Sequence, residues 1–173
     1  HVVAFSGRTI EKDFEGGKYV NSPETPIFKK SSILYALHLA KQPMQKQGFA
    51  ILCEGQLDVI AMHRAGFENT AAPQGTAFTI EQASKIKRFA NSLYIAFDSD
   101  SAGKKAAFRA IDIALPLGFD VRIISFPSGK DPDELLKTHG PEAIAQAVNS
   151  AESFFNFIFR EAAANNDIST AEG

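Results

Sequence analysis

The sequence predicts an α/β fold, a doubly wound parallel sheet flanked by helices, and three observations carry that expectation. From residue 49 onward, apolar segments rich in β-branched and aromatic residues alternate with segments of helical period, the order that gives a parallel sheet. The run LYIAF at 93–97 shows no two-residue alternation, which is the habit of a strand covered on both faces. Three strand-like segments end in acid: Glu54 after 49–53, Asp98 and Asp100 after the LYIAF run, and Asp131 and Asp133 in the loop that follows 121–126. Parallel strands set their carboxyl ends on one edge of the sheet, and open α/β sheets bind ligands at that edge.

The 173 residues, 45% of them hydrophobic, suffice for one well-buried domain with small accessory pieces. The single cysteine, Cys53, cannot form an internal disulfide, and no apolar run approaches the roughly 20 residues needed to span a bilayer. A cytoplasmic setting without membrane contact is therefore expected. The chain opens on HVVAFSG without a methionine, which suggests a piece of a larger protein. A net charge of −2 excludes a uniformly basic nucleic-acid-binding surface, so phosphates would be met by a local patch or through bound cations.

Taken in order, residues 1–30 are short apolar pieces broken by turn residues, among them Asn21, Ser22, Pro23, Thr25 and Pro26, and read as loop-rich. Lys18, Lys29 and Lys30 flank that turn. Lysines beside turns are most often a solvated surface; the sharper reading is a phosphate-binding rim. A helix is expected over 31–41, with Ile33, Leu34, Leu37 and Ala40 at three-and-four spacing, closed by Pro43 and Gly48. The strand at 49–53 leads to a helix over 57–65 with Leu57, Ile60, Ala61 and Met62 inward, Asp58 in its first turn and Gly66 as its stop. A short strand at 70–72 precedes the loop from Pro73 to Thr76. Thr79, with Gln82 three residues on, forms a capping box for a helix to about residue 90. Beyond the 93–97 strand, a helix starting at Ser101 or Gly103 runs to 115, with Ala107, Ile111, Ala114 and Leu115 inward and Lys104, Lys105 and Arg109 in its early turns. The last strand is 121–126. Residues 141–164 read as wholly helical, with Ile144, Val148, Phe154, Phe155, Phe157 and Ile158 packed as core, and 165–173 as a tail.

Five carboxylates in one crevice raise each other's pKa and cost stability unless something positive joins them. A hard divalent cation that accepts oxygen ligands and keeps several waters suits such a site, which points to magnesium. The histidines at 1, 38, 63 and 139 show no ligand spacing, so no zinc is expected in this chain. An isolated D-x-D pair is commonly a cap or a turn; its conjunction with two further strand-terminal acids is the informative part.

The motifs CEGQLDVIAMHRAGF, QGTAFT, AFDSDSAGKKAA and SGKDPDELL, in that order and spacing, closely resemble the Toprim domain of bacterial replicative DNA primases, a Rossmann-like parallel sheet flanked by helices. Upstream, FSGRT and GGKYVNSPETPIFKK resemble the primase segment that precedes that domain. The resemblance spans nearly all of residues 3–136. It implies the end of an N-terminal primase subdomain over 1–47, the Toprim domain over 48–138, and a C-terminal helical segment and tail over 139–173. The Glu and Asp-x-Asp signature is shared with topoisomerases and some nucleases, whereas KYVNSPET and QGTAFT are specific to primases.

By that resemblance the chain is expected to be the catalytic-core fragment of a nucleotidyltransferase, a DNA-directed RNA polymerase that lays short RNA primers on single-stranded DNA for replication. Glu54, Asp98 and Asp100 would be catalytic, and the same three with Asp131 and Asp133 would hold metal. Asp58 would be a supporting acid, and Arg8, Lys18, Asn21 and Lys30 would face nucleotide or template. The implied cofactor is Mg2+, with Mn2+ as a substitute. The implied partners are single-stranded DNA, ribonucleoside triphosphates and, through a domain outside this sequence, the replicative helicase. Gln56, Leu57 and Ser99 stand where Tyr, Met and Gly are frequent, and none of these departures removes an acid. Family members carry a zinc-binding module before the core, which no Cys or His cluster here supplies, so the isolated chain is expected to be weakly active or inactive. The alternatives are another Toprim enzyme, a haloacid-dehalogenase-like phosphatase and a non-catalytic Toprim scaffold. A phosphatase of that kind carries its D-x-D after the first strand of the domain, and retention of every acid argues against a scaffold.

Overall fold

The computed structural model describes residues 2–10, 19–127 and 131–165. The N-terminal stretch, expected to be loop, contains two short strands, β1 (Ser6–Arg8) and β2 (Tyr19–Asn21), paired antiparallel with Ser6 opposite Asn21 and Arg8 opposite Tyr19. Three-residue strands carry too little periodicity to be read from sequence. In place of the helix expected over 31–41 come a strand, β3 (Leu34–Tyr35), and a later helix, α1 (Leu37–Gln47). Ala36 takes a left-handed φ of 62° between them, after Leu34 and Tyr35 have paired with Pro73 and Ala72. Pairing with the sheet edge thus outweighs the local helical spacing. Pro43 lies inside α1 rather than closing it. Gly48, at φ 80°, is the stop, and its N–H donates to the Met44 carbonyl.

The alternation that follows matches expectation: β4 (Phe49–Cys53), α2 (Gln56–Arg64), β5 (Thr70–Pro73), α3 (Ile80–Lys87), β6 (Ser92–Ala96), α4 (Ser101–Ala114) and β7 (Asp120–Ile123). The end of the chain departs from it. An unexpected helix, α5 (Pro132–His139), follows the acidic loop, and the single helix expected over 141–164 is α6 (Pro141–Asn149), a short strand β8 (Glu152–Ser153) and α7 (Phe154–Asn165). Pairing of Glu152 with Ile123 and of Ser153 with Arg122 interrupts the helical run. Phe157 is buried, but Phe155 is 70% exposed and Ile158 37%, so two of the residues assigned to the core are on the surface. Likewise Val59, not Ile60, faces inward from α2. The tail expected over 165–173 lies outside the described residues, except Asn165, which ends α7.

The six-stranded sheet runs in the order β3-β5-β4-β6-β7-β8, with the four central strands parallel and both edge strands antiparallel. Alternate strand residues feed two cores. Leu52, Leu93 and Ile95 pack with Met44, Ile86 and Ile111 from α1, α3 and α4, whereas Ile51, Cys53 and Ile124 pack with Met62, Leu135 and Ile144 from α2, α5 and α6. The chain goes from β4 to β5 on one side and returns to β6 on the other, so the winding reverses between β4 and β6. That is the crevice where open α/β sheets bind ligands. The buried Glu161 of α7 pairs with Lys104 of α4 at 2.7 Å, tying the two helices, and with its own neighbour Arg160 at 3.1 Å.

The capping box expected at α3 is present and reaches further than a cap. Thr79 Oγ1 accepts from the Gln82 N–H and Gln82 Oε1 accepts from the Thr79 N–H, both at 3.1 Å. The fully buried Gln82 amide also donates to the Lys30 and Ile33 carbonyls at 2.9 Å each, tying the N-terminal segment to the sheet. Gln82→Ala leaves two part-buried carbonyls and an N–H without this partner, and is expected to cost roughly 1–3 kcal/mol. Denaturant midpoints of the two proteins at equal slope check this; a loss under 0.5 kcal/mol, on the order of a solvated cap alone, would refute it.

Candidate active site

Glu54 ends β4 and Asp98 follows β6, two neighbouring parallel strands whose last residues, Cys53 and Ala96, are paired. Register alone therefore brings both side chains to the reversal point. Glu54 Oε1 accepts the Asp98 N–H at 2.9 Å, closing the two strand ends on one another. Gly103, in the first turn of α4, presses into this joint. A Cβ there would stand 2.2 Å from the Asp98 carbonyl oxygen and 2.8 Å from Glu54 Oε1, so only glycine lets the helix start so close.

The other acids sit at helix starts, where free N–H groups favour a carboxylate. Asp58, in the first turn of α2, accepts the Gly55 N–H at 3.1 Å. Asp100 caps α4 through the Gly103 N–H at 2.7 Å, and Asp131 caps α5 through the Glu134 N–H at 2.7 Å, with Pro132 at the first helical position. Asp133 forms an ion pair with Lys137, four residues on along α5.

A cleft of about 540 Å3 gathers Glu54, Asp58, Asp98, Asp131 and Asp133, with Arg8 and Asn21 of the β1–β2 pair on its facing wall. Seven of the ten residues expected at a site are thus brought together. Asp100 stands outside the lining as a helix cap, close enough to raise the Glu54 and Asp98 pKa values. Lys30 also lies outside; its N–H donates to the Glu24 carboxylate at 2.7 Å. Lys18 falls outside the described residues. Sequence reasoning missed Lys137 and Gly75. The first could be found from its spacing to Asp133, had α5 been recognised. Gly75, at φ 67°, lies against Asn21, where a Cβ would come within 2.5 Å of the Asn21 Nδ2. The Oδ1 of that Asn21 is buried and accepts no hydrogen bond from a described residue.

The cleft is electrically unbalanced, with five carboxylates against Arg8 and Lys137. Burial pushes the Asp58 carboxyl up to about 7, with the charges of Asp98 and Asp131 adding to the effect. Burial likewise raises Glu54, partly offset by the Asp98 N–H, and raises Asp98, reinforced by Asp131 and Asp100. Burial and the same acids hold the Cys53 thiol well above its usual range, which keeps it protonated and a poor nucleophile. Among the described residues, no three His, Cys, Asp or Glu side chains stand close enough to enclose a metal ion. The donors nevertheless fit a magnesium-type cation, which uses one or two carboxylates, keeps its own waters and takes further oxygens from a substrate. Burial, reinforced by the charges of neighbouring acids, raises Glu54, Asp58 and Asp98, and that is the electrostatic cost such a cation relieves.

A family model described as Toprim-like matches residues 51–136, and one described as the N-terminal domain of the DNA primase catalytic core matches residues 1–41. A DNA primase of Aquifex aeolicus is 39% identical over 171 residues, which cover 99% of this chain and 34% of that protein. The crystal structure of a DNA primase domain from Pseudomonas aeruginosa matches with a TM-score of 0.87 at 36% identity, over 99% of this chain and 54% of that one. The RNA polymerase domain of Mycobacterium tuberculosis primase, in complex with a double-stranded DNA oligomer with a 6-nucleotide overhang, matches with a TM-score of 0.85 at 36% identity, over 99% and 56%. The chain spans about a third or less of the length of the curated relatives it matches.

The raised Asp58 pKa makes stability depend on pH in a defined direction. The folded state keeps this proton up to about pH 7 while an unfolded aspartate loses it near 4, so this contribution falls as pH rises between those values and is flat above. Without metal, Asp58→Asn is expected to be more stable than the parent at pH 8 by on the order of 1–2 kcal/mol, discounted for partial solvent contact, and to lose most of that advantage at pH 5. Guanidinium unfolding at both pH values decides it, and a gap that widens on acidification contradicts the assignment.

Proposed function

Because the chain belongs to the bacterial DNA primase family, with a Toprim domain at its centre, we propose that it carries the metal-dependent nucleotidyl-transfer site of an RNA polymerase that primes single-stranded DNA. The observation that carries this reading is the delivery of Glu54 and Asp98 by adjacent strands into one cleft with Asp58, Asp131 and Asp133, facing Arg8 and Asn21. Glu54 and Asp98, with Asp100, Asp131 and Asp133 around them, would hold divalent cations, Mg2+ or in its place Mn2+. When bound, such cations supply Lewis-acid neutralisation of phosphoryl charge and lower the pKa of a ligated hydroxyl.

This chain's residues bind and orient. Arg8 would meet the triphosphate in the cleft, and the Asn21 Oδ1, which accepts no hydrogen bond from a described residue, suits a donor such as a ribose hydroxyl; Lys18 and Lys30, outside that lining, would reach phosphate from further along the segment. In the transfer, the 3′ oxygen of one nucleotide bonds to the α-phosphorus of the next. The α–β anhydride bond breaks, pyrophosphate leaves with the electron pair, and the hydroxyl proton passes to water. Asp58 lines the same cleft as a supporting acid, its carboxyl raised by burial and by the charges of Asp98, Asp131 and Glu54. The partners on this reading are single-stranded DNA, ribonucleoside triphosphates and a replicative helicase bound through another part of the protein, all in the cytoplasm.

In the full-length protein, Glu54→Gln, Asp98→Asn and Asp100→Asn are each expected to lower primer synthesis at least a hundredfold with folding intact, the scale of losing a charge-stabilising ligand. Soluble, cooperatively melting variants that prime within a few-fold of the parent would overturn the proposal. The domain itself is expected to gain roughly 2–5 °C in Tm with millimolar Mg2+, since ligands of the folded state stabilise by mass action. The same addition should leave Glu54→Gln unmoved. The isolated chain should bind metal yet make little primer, because template and both nucleotides must be aligned together.

A further inference from the structure

Glu54 borders a second cavity as well as the acidic cleft. This one, about 510 Å3, lies between the loop after β5 and helix α4, with Thr76, Phe78, Phe97, Ala106 and Arg109 among its walls. The two cavities are bordered by helices on opposite faces of the sheet and share Glu54 and Pro73. The acidic cleft is bordered by α2 and α5, which pack on one face, and the second cavity by α4, which packs on the other. Their chemistry differs too. The second is walled mainly by carbon, with one cation, Arg109, that forms no ion pair with a described residue, and one carboxylate, Asp112, besides Glu54. Its volume lies within the roughly 300–1,000 Å3 that small-ligand sites occupy.

Resting on the polymerase reading above, we propose that this cavity is the subsite for the nucleotide that brings the attacking 3′ hydroxyl, whether the initiating ribonucleotide or the end of the growing primer. The argument is geometric. Displacement at the α-phosphorus runs in line, so the hydroxyl must come from the side opposite the departing pyrophosphate. Cationic and polar groups suited to the triphosphate, Arg8 and Asn21, stand on the acidic side of Glu54. The attacking nucleotide then belongs on the far side of the same carboxylate, where this cavity lies. A nucleoside needs an apolar wall for its base, which Phe78 and Phe97 border, and a cation for its 5′ phosphate, which Arg109 supplies.

The test uses this chain, isotopically labelled, titrated with adenosine 5′-monophosphate without metal. Amide shifts are expected at residues 76–78 and 106–113. Ala106→Trp, which fills the cavity from a helix surface, should abolish them, and the exposed Arg109→Glu should weaken binding roughly tenfold by replacing attraction with repulsion at the phosphate. Pyrophosphate should instead shift amides around Arg8 and Asn21, equally in the parent and in Ala106→Trp. In the full-length protein, Ala106→Trp should raise the KM for the initiating nucleotide while leaving Mg2+ stabilisation unchanged. Monophosphate shifts elsewhere, or shifts at 76–78 and 106–113 that survive both variants, overturn the subsite. Failure of the polymerase reading looks different: monophosphate still binds here, while Glu54→Gln leaves priming intact.

Discussion

One hydrogen bond at the middle of the sheet holds the site together: the Asp98 N–H donating to the Glu54 carboxylate across the ends of β4 and β6. It fixes one carboxylate against the backbone that carries another, at the point where the winding reverses. Gly103 packs onto the same joint with no room for a side-chain carbon, so the start of α4, its Asp100 cap and the Glu54 carboxylate share one set of contacts. Moving any one of them moves the rest. The interior beneath transmits such shifts because it is filled from both sides by close-packed aliphatic residues.

The cleft concentrates negative charge where the fold can least neutralise it. Two cations face five carboxylates, and three of those acids are pushed towards their protonated forms. A protein optimised for stability alone would not place its acids so. The arrangement makes sense if the fold accepts a destabilised edge that a multivalent cation and its phosphate ligands relieve. Helix starts under Asp58, Asp100 and Asp131 soften the cost, since each offers an N–H that favours the charged form.

The central alternation of strands and helices was legible in the sequence because buried parallel strands and amphipathic helices leave strong and different patterns. Glu54 and Asp98 were legible because they follow buried strands and needed only the rule that parallel strands share a carboxyl edge; Asp100, Asp131 and Asp133, read as strand-terminal, stand instead at helix starts. What failed was short or edge structure. Leu34 and Tyr35 have helical spacing to Leu37 yet pair with β5, and Glu152 and Ser153 sit inside a run of helix formers yet pair with β7. Two-residue strands are decided by what lies beside them, which no local window contains. The facing wall of the site failed for the same reason, since Arg8 and Asn21 come together only through β1–β2 pairing, and their expected roles came from family resemblance rather than pattern.

The two edges of the sheet have a further consequence. Both outermost strands, β3 and β8, are two residues long and run against their neighbours. An exposed strand of ordinary length offers a row of free N–H and C=O groups on which another chain can add itself. Here the hydrophobic parallel strands are screened by borders too short to template such growth. The strongly apolar central sheet is thus bordered by two short antiparallel strands that give a second copy little backbone to pair with.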